Sequence, residues 1–116
     1  MYVLMKLSSI VSTKTLRLTP WQRATGLMFK KKLVDEAYVF AFDSDVKIPI
    51  HMLFVFFRID VLWVNSDHEI VDLRRNVLPF TPSVFHKGRA KYLIELPAGT
   101  ISEHKLRLMS QLDVEL

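Results

Sequence analysis

Asp60-Val61-Leu62-Trp63-Val64-Asn65, Ser66-Asp67-His68-Glu69 and Ile70-Val71-Asp72-Leu73 follow one another without a gap, and their reading decides the fold. The first segment is mostly branched and aromatic, the composition of a covered strand. Four polar residues then read as a hairpin loop, and Ile70 to Leu73 returns from it as a second strand. An antiparallel hairpin therefore stands near the middle of the chain.

Working outward, Tyr38 to Phe42 is a compact strand, and Asp43-Ser44-Asp45 is a turn signal. Ile48 to Phe57 is almost wholly apolar. It reads as a strand buried on both faces, or as two short strands joined at Phe57-Arg58. Downstream, Ala90 to Leu96 is a strand stopped by Pro97-Ala98-Gly99. Thr100, with Glu103 three residues later, suggests one helical turn through His104. Leu112 to Leu116 is a short last strand. Between the strands, Asn76 to Gly88 holds Pro79, Pro82, Phe80 and Phe85. Two prolines exclude a central strand. A long loop with aromatic anchors is expected, and such loops often carry function.

In the first third, Tyr2 to Leu7 and Val11 to Leu18 read as strands. Thr19-Pro20 starts a short helix with Trp21, Ala24, Leu27 and Met28 on one face. Gly26 lies inside that pattern, where a glycine costs about 1 kcal/mol relative to alanine, so close packing or an early helix end is expected there. Lys30-Lys31-Lys32 suits the negative end of the helix dipole. The fold class expected is mainly β: a small antiparallel β-sandwich or partly open barrel with one or two short helices.

The chain has 116 residues, which is one domain (1–116), and half of them are hydrophobic. A domain of this size buries roughly two thirds of its unfolded surface. No cysteine occurs, which excludes disulfides, thiolate metal sites and a cysteine nucleophile. Gln22, Asn65, Asn76 and Gln111 are the only amides, a composition that suits a heat-adapted prokaryote. No targeting segment is expected, because the apolar run Met1 to Met5 is too short and Lys6 follows it, and no membrane span, because Lys47, His51, Arg58 and Asp60 interrupt the longest apolar stretch. A cytoplasmic protein without membrane contact is expected.

The formal charge is +4, enough to steer an anionic partner weakly. Three clusters carry it: Lys30-Lys31-Lys32, Arg74-Arg75, and Lys87, Arg89 and Lys91. Phe80, Phe85 and Tyr92 lie near the last. Basic plus aromatic is the vocabulary of single-strand nucleic-acid binding, but no recognised motif accompanies it. Weak, salt-dependent binding through Lys87, Arg89 and Lys91 is the most the sequence supports.

Four histidines, His51, His68, His86 and His104, show no metal-ligand spacing, so no metal and no cofactor are expected. His51 stands in an apolar run beside Met52, as a satisfied core residue or a neutral imidazole facing a pocket. Asp60 and Arg58 lie in the most apolar part of the chain and need partners there. Asp60 is expected to be buried and to accept bonds from backbone N–H groups or from Arg58, fixing the strand entry. Glu95 is the other carboxylate inside a strand, and nothing local pairs it with Asp60 as acid and base. There is no Gly-rich phosphate loop and no nucleophile elbow.

Arg23, Gly26, Leu27, Met28 and Phe29, with Lys30 for a final arginine, match R-x-x-G-L-M-F-R. His51-Met52 matches a W/H-M element, and Ile59-Asp60-Val61-Leu62-Trp63-Val64 matches I/L-D-I-L-F-I. Tyr92, Ile94, Glu95, Leu96, Pro97, Ala98 and Gly99 match Y-x-L/I-E-L-P-A-G. In this order the motifs resemble the domain-of-unknown-function family 192, also called UPF-0127. The likeness runs from about Thr15 onward. It implies a small β-rich barrel or sandwich and no agreed activity. Leu53-Phe54-Val55 stands where many members have a polar Lys-Asn-Thr, and Arg58 where proline is common.

The function expected is a non-enzymatic binding module with an aromatic-lined cleft, for a small ligand or a protein. His51, Met52, Phe80, Phe85 and Arg23 are its candidate contacts, and Gly26, Asp60 and Gly99 its structural residues. The alternatives are a small enzyme using Asp60, His51 or Glu95, and a nucleic-acid-associated protein.

Overall fold

A computed structural model describes residues 5–7, 37–50, 52 and 55–114. The protein is mainly β. Its described strands are β1 (Met5–Lys6), β2 (Tyr38–Val46), β3 (Ile59–Val64), β4 (Ile70–Val77), β5 (Ala90–Pro97) and β6 (Leu112–Asp113), with one short helix, α1 (Thr100–Glu103), after β5. The expected strand from Val11 to Leu18, the helix after Thr19-Pro20, Arg23, Gly26 and His51 lie outside the described residues.

Four strands form one antiparallel sheet in the order β2-β5-β3-β4, and β1 pairs in parallel with β6. Among the described residues the sheet does not close into a barrel. β3 and β5 occupy the centre, and all six residues of β3 are buried. The period of two sends them to opposite faces. Leu62 and Val64 join Val39, Ile94, Leu96 and Ile101 in one core. Ile59, Val61 and Trp63 join Tyr38, Phe40, Leu93 and Met52 in the other. A sheet covered on both sides explains why β3 reads as an unbroken apolar run. Trp63 is wholly buried, and its indole Nε1–H donates to the Ile48 carbonyl at 2.9 Å.

Three readings are corrected. Asp43-Ser44-Asp45 is no turn: it lies inside β2, at an irregularity between Ala41 and Val46 where the register with β5 shifts. A bulge takes up extra residues without ending the strand. Ile48 to Phe57 is not a strand in its described residues. It makes one isolated bridge, Ile50 with Val84, and otherwise irregular backbone bonds. Its apolar content comes from lying against the face of Tyr38, Val61 and Trp63. Finally, Thr100 does not cap α1. The cap is Gly99 at φ 95°, and the Thr100 hydroxyl donates instead to the Pro97 carbonyl at 2.6 Å. Gly99 is needed there for its left-handed backbone, since nothing crowds its Cβ position.

Candidate functional site

The long loop expected from Asn76 to Gly88 spans residues 78–89, since Asn76 and Val77 still belong to β4, and backbone and side-chain bonds hold it along its length. The Met52 N–H donates to the Thr81 carbonyl at 2.7 Å, and the Phe80 N–H to the Met52 carbonyl at 2.9 Å. Ile50 and Val84 exchange N–H···O bonds of 3.1 and 2.7 Å. Met52, a candidate contact, is thereby joined to Phe80, another. The Met52 side chain itself is buried, so it supports the loop and does not line an open surface.

Phe80 has φ 63°, a left-handed backbone that bulky residues rarely adopt. Its ring is 51% exposed and meets Phe56, 55% exposed, edge to face at a centroid distance of 5.1 Å. Leu78, on the same loop, is also exposed. Phe85, the other loop phenylalanine among the candidates, is 70% exposed, and its backbone carbonyl is bonded to Arg74 and not to Met52, which defines a second neighbourhood.

That second neighbourhood rests on His86 and Asp72, which the sequence reading did not single out. The His86 ring stacks on Trp63 with centroids 4.9 Å apart. The Ile48 N–H donates to His86 Nε2 at 2.7 Å, so Nδ1 carries the proton and donates to the Lys87 carbonyl at 3.0 Å. Burial first, then nearby Lys47 and Arg74, hold the His86 pKa below its ordinary value, against the opposing pull of the Lys87 carbonyl. The ring is a neutral clamp. Asp72 accepts from the Lys87 N–H at 2.7 Å, the Leu73 N–H at 2.8 Å and Arg74 Nη1 at 2.7 Å. Burial, the largest single influence, raises its pKa, but the bonds from Lys87, Leu73 and Arg74 outweigh it and leave the carboxyl below its usual value. Arg74 Nη2 continues to the Phe85 carbonyl at 3.2 Å, and Lys47 Nζ donates to the His86 carbonyl at 3.2 Å. Lys87 and Arg89 are exposed. Lys91 sits with its Nζ 5.7 Å from the Tyr92 ring centroid.

Asp60 is wholly buried. Its Oδ1 accepts from the Asn76 N–H at 3.0 Å and its Oδ2 from the Ile101 N–H at 2.8 Å. One carboxylate thus joins the end of β4 to the first turn of α1, satisfying a donor that a helix start leaves open. Arg58 is exposed and does not supply these bonds. Wholly enclosed and bonded to a backbone N–H through each oxygen, Asp60 is a structural tie between these elements.

Glu95 pairs across the sheet with Tyr38 and Val61 and is 9% exposed. None of the described residues donates a hydrogen bond to its carboxyl. Burial raises its pKa from 4.5 to about 8. Among the described residues no cluster of histidine and carboxylate side chains fits a metal ion, and no helix is long and apolar enough to cross a membrane.

In fold, the chain is similar to the crystal structure of a candidate transcription regulator from Sinorhizobium meliloti, with a TM-score of 0.77 at 23% identity over 85% of this chain and 78% of that one. It is also similar to a protein of unknown function from Novosphingobium aromaticivorans, with a TM-score of 0.79 at 17% identity over 87% of this chain and 73% of that one. In sequence, it is 36% identical over 102 residues to a UPF0127 protein of Thermococcus sibiricus, covering 84% of this chain and 63% of that protein. The chain thus spans less than two thirds of that relative's length. A UPF0127 protein of Pyrococcus furiosus is 33% identical over 92 residues, covering 79% of this chain and 78% of its own length. These archaeal relatives are thermophiles, in keeping with the amide-poor composition. The family model described as Uncharacterized ACR matches residues 9–114, and the chain belongs to that family, DUF192.

Proposed function

We propose that the protein is a small non-enzymatic binding module whose contact surface is the rim formed by Phe56, Leu78 and Phe80. The observation that carries this reading is Phe80. Its left-handed backbone holds an apolar ring half in water, edge-on to a second exposed ring. A left-handed conformation at a non-glycine residue costs about 1–2 kcal/mol, and such strain persists where surrounding structure enforces it, commonly at binding sites. The bonds through Met52 and Thr81 supply that enforcement. The ligand class is a flat apolar group, on a small molecule or on a partner protein. Native mass spectrometry of the purified protein looks for a bound ligand directly. Chemical-shift mapping with small aromatic fragments tests the location: the largest shifts should fall on Phe56, Leu78 and Phe80 and vanish in Phe80→Ala. Shifts confined to another surface would remove this reading.

Glu95 favours a second reading, a small enzyme. A carboxyl that keeps its proton to about pH 8 is poised as a general acid. Asp60 does not belong to that reading, because its side chain is wholly buried and ties two backbone segments together. As part of the first proposal we place the protein in the cytoplasm.

A further inference from the structure

The loop from Val84 to Lys87 presents an aromatic ring beside several cations on a rigid support. Phe85 is 70% exposed, the highest among the large apolar residues described, and the next residue, His86, is buried against Trp63. The outward ring and the inward imidazole alternate, so the His86 clamp fixes where Phe85 and Lys87 emerge. Lys47 and Arg74 reach the carbonyls of His86 and Phe85 at 3.2 Å each, which places both cationic heads beside the ring's own backbone. Asp72 neutralises part of Arg74 through the 2.7 Å ion pair. Lys47, Lys87 and Arg89 remain exposed. From Leu73 to Ile94 the chain carries Arg74, Arg75, Lys87, Arg89 and Lys91 and no carboxylate.

We infer that this surface binds single-stranded nucleic acid, with one base stacked on Phe85 and phosphates held by Lys47, Lys87 and Arg89. An unpaired base offers a free π-face to an exposed ring, whereas a duplex keeps its bases stacked on one another. Cations on the loop that carries the ring and on Lys47 bonded to it can meet the phosphates next to that base along a strand. The preformed clamp means that little of the loop has to be ordered on binding. The inference is independent of the Phe56–Phe80 rim, and either can fail alone.

The test is fluorescence anisotropy with labelled oligo(dT) and oligo(U) of about 12 nucleotides, within the site sizes usual for such surfaces. Salt is varied from low to physiological, and duplex DNA and phosphatidylserine vesicles are the comparison probes. Wild-type protein should bind both oligomers at low salt and lose affinity steadily as salt rises. Phe85→Ala should weaken binding about tenfold or more with the salt slope kept, since one stacked base is lost and no phosphate contact. Lys47→Gln with Lys87→Gln should flatten the slope of log affinity against log salt by about 1.4, at about 0.7 per phosphate contact on a single strand. Thermal melting shows that each variant is folded, and Phe85→Leu serves as a second variant that keeps an apolar group without the flat ring. Unchanged affinity in folded Phe85→Ala, duplex bound as tightly as single strand, or binding to the vesicles and not the oligomers would each overturn the inference.

Discussion

Asp60 and Glu95 are two buried carboxyl groups at adjoining positions of the same strand pair, and they meet opposite conditions. Asp60 stands opposite Leu96, and Glu95 stands opposite Val61, one position away and on the other face. Asp60 has a backbone N–H on each oxygen, from Asn76 and Ile101. Glu95 stands opposite Tyr38 and Val61 in the sheet and has no donor to its carboxyl among the described residues. Burial alone does not decide a carboxyl's state. What decides it is whether fixed dipoles replace the water that was lost. Asp60 is therefore a structural rivet. Glu95 is a stored proton, and it is the group whose removal should change the molecule's response to pH most.

The largest expected effect follows from that difference. Glu95 has a folded pKa of about 8 against 4.5 in the ordinary state. Below pH 4.5 both folded and unfolded chains are protonated at this site, and it contributes no penalty. Between 4.5 and 8 the folded chain binds more protons than the unfolded one, so stability falls as pH rises. Above 8 the loss is complete, on the order of 5 kcal/mol at 1.36 kcal/mol per unit. Glu95→Gln should match wild type near pH 4.5 and exceed it increasingly toward pH 9. Denaturant midpoints at several pH values check this. A constant difference between the two proteins would show that Glu95 has a partner and that the contrast with Asp60 is false.

Asp60 gives the converse result. Asp60→Ala strands two buried donors, each worth about 1–3 kcal/mol. A loss of about 2–6 kcal/mol is expected, with faster hydrogen exchange at Ile101 and Asn76. Asp60→Asn should fall between Ala and wild type, because the amide oxygen can satisfy only one of the two donors. Equal stability of the Asn variant and wild type would mean that one of the two bonds carries no energy.

His86 sharpens the comparison with a group of the other charge type. It too is buried, and like Asp60 it is satisfied, at Ile48 and Lys87, but in its neutral form. Its pKa is lowered from 6.5. The unfolded chain therefore binds more protons as pH drops below 6.5, and stability is lost toward acid through this site. His86→Phe keeps a ring against Trp63 but strands the Ile48 N–H, for a loss of about 1–3 kcal/mol near neutrality. That loss should shrink as pH falls below 6.5, since the variant has nothing to protonate. Urea midpoints at pH 5 and pH 8 measure it.

How far these features could be read beforehand depended on the sequence distance of their causes. β3 and β5 were legible because a strand covered on both faces has to be apolar at every position, and the four-residue loop before Ile70 marks the hairpin locally. The burial of Asp60 followed from its apolar surroundings, but its partners Asn76 and Ile101 are 16 and 41 residues away and could not be named. Nothing local marks His86, because Ile48, its partner, is 38 residues distant. The run after Ile48 misled because apolar saturation reports coverage, not ladder pairing. Asp43-Ser44-Asp45 misled because a bulge and a turn use the same residues. Phe80 and Phe85 look alike in sequence, and only the separate bonds to Met52 and to Arg74 tell apart how each is held.

The smallest expected effect inverts the comparison, since Phe80 is an apolar group kept outside where Glu95 is a polar group kept inside. Phe80→Ala removes the ring and its contact with Phe56 but leaves a side chain at φ 63°. Phe80→Gly removes the ring and the backbone strain together. The difference between the two variants isolates the strain, because both lose the same aromatic contact. Glycine should be the more stable by about 1 kcal/mol, the order of the left-handed cost less the extra chain entropy that glycine loses on folding. Thermal melting resolves a difference of that size, at about 4–8 °C per kcal/mol for a small domain. If alanine is as stable as glycine, the backbone at Phe80 is not strained, and the reading of its ring as deliberately displayed loses its support.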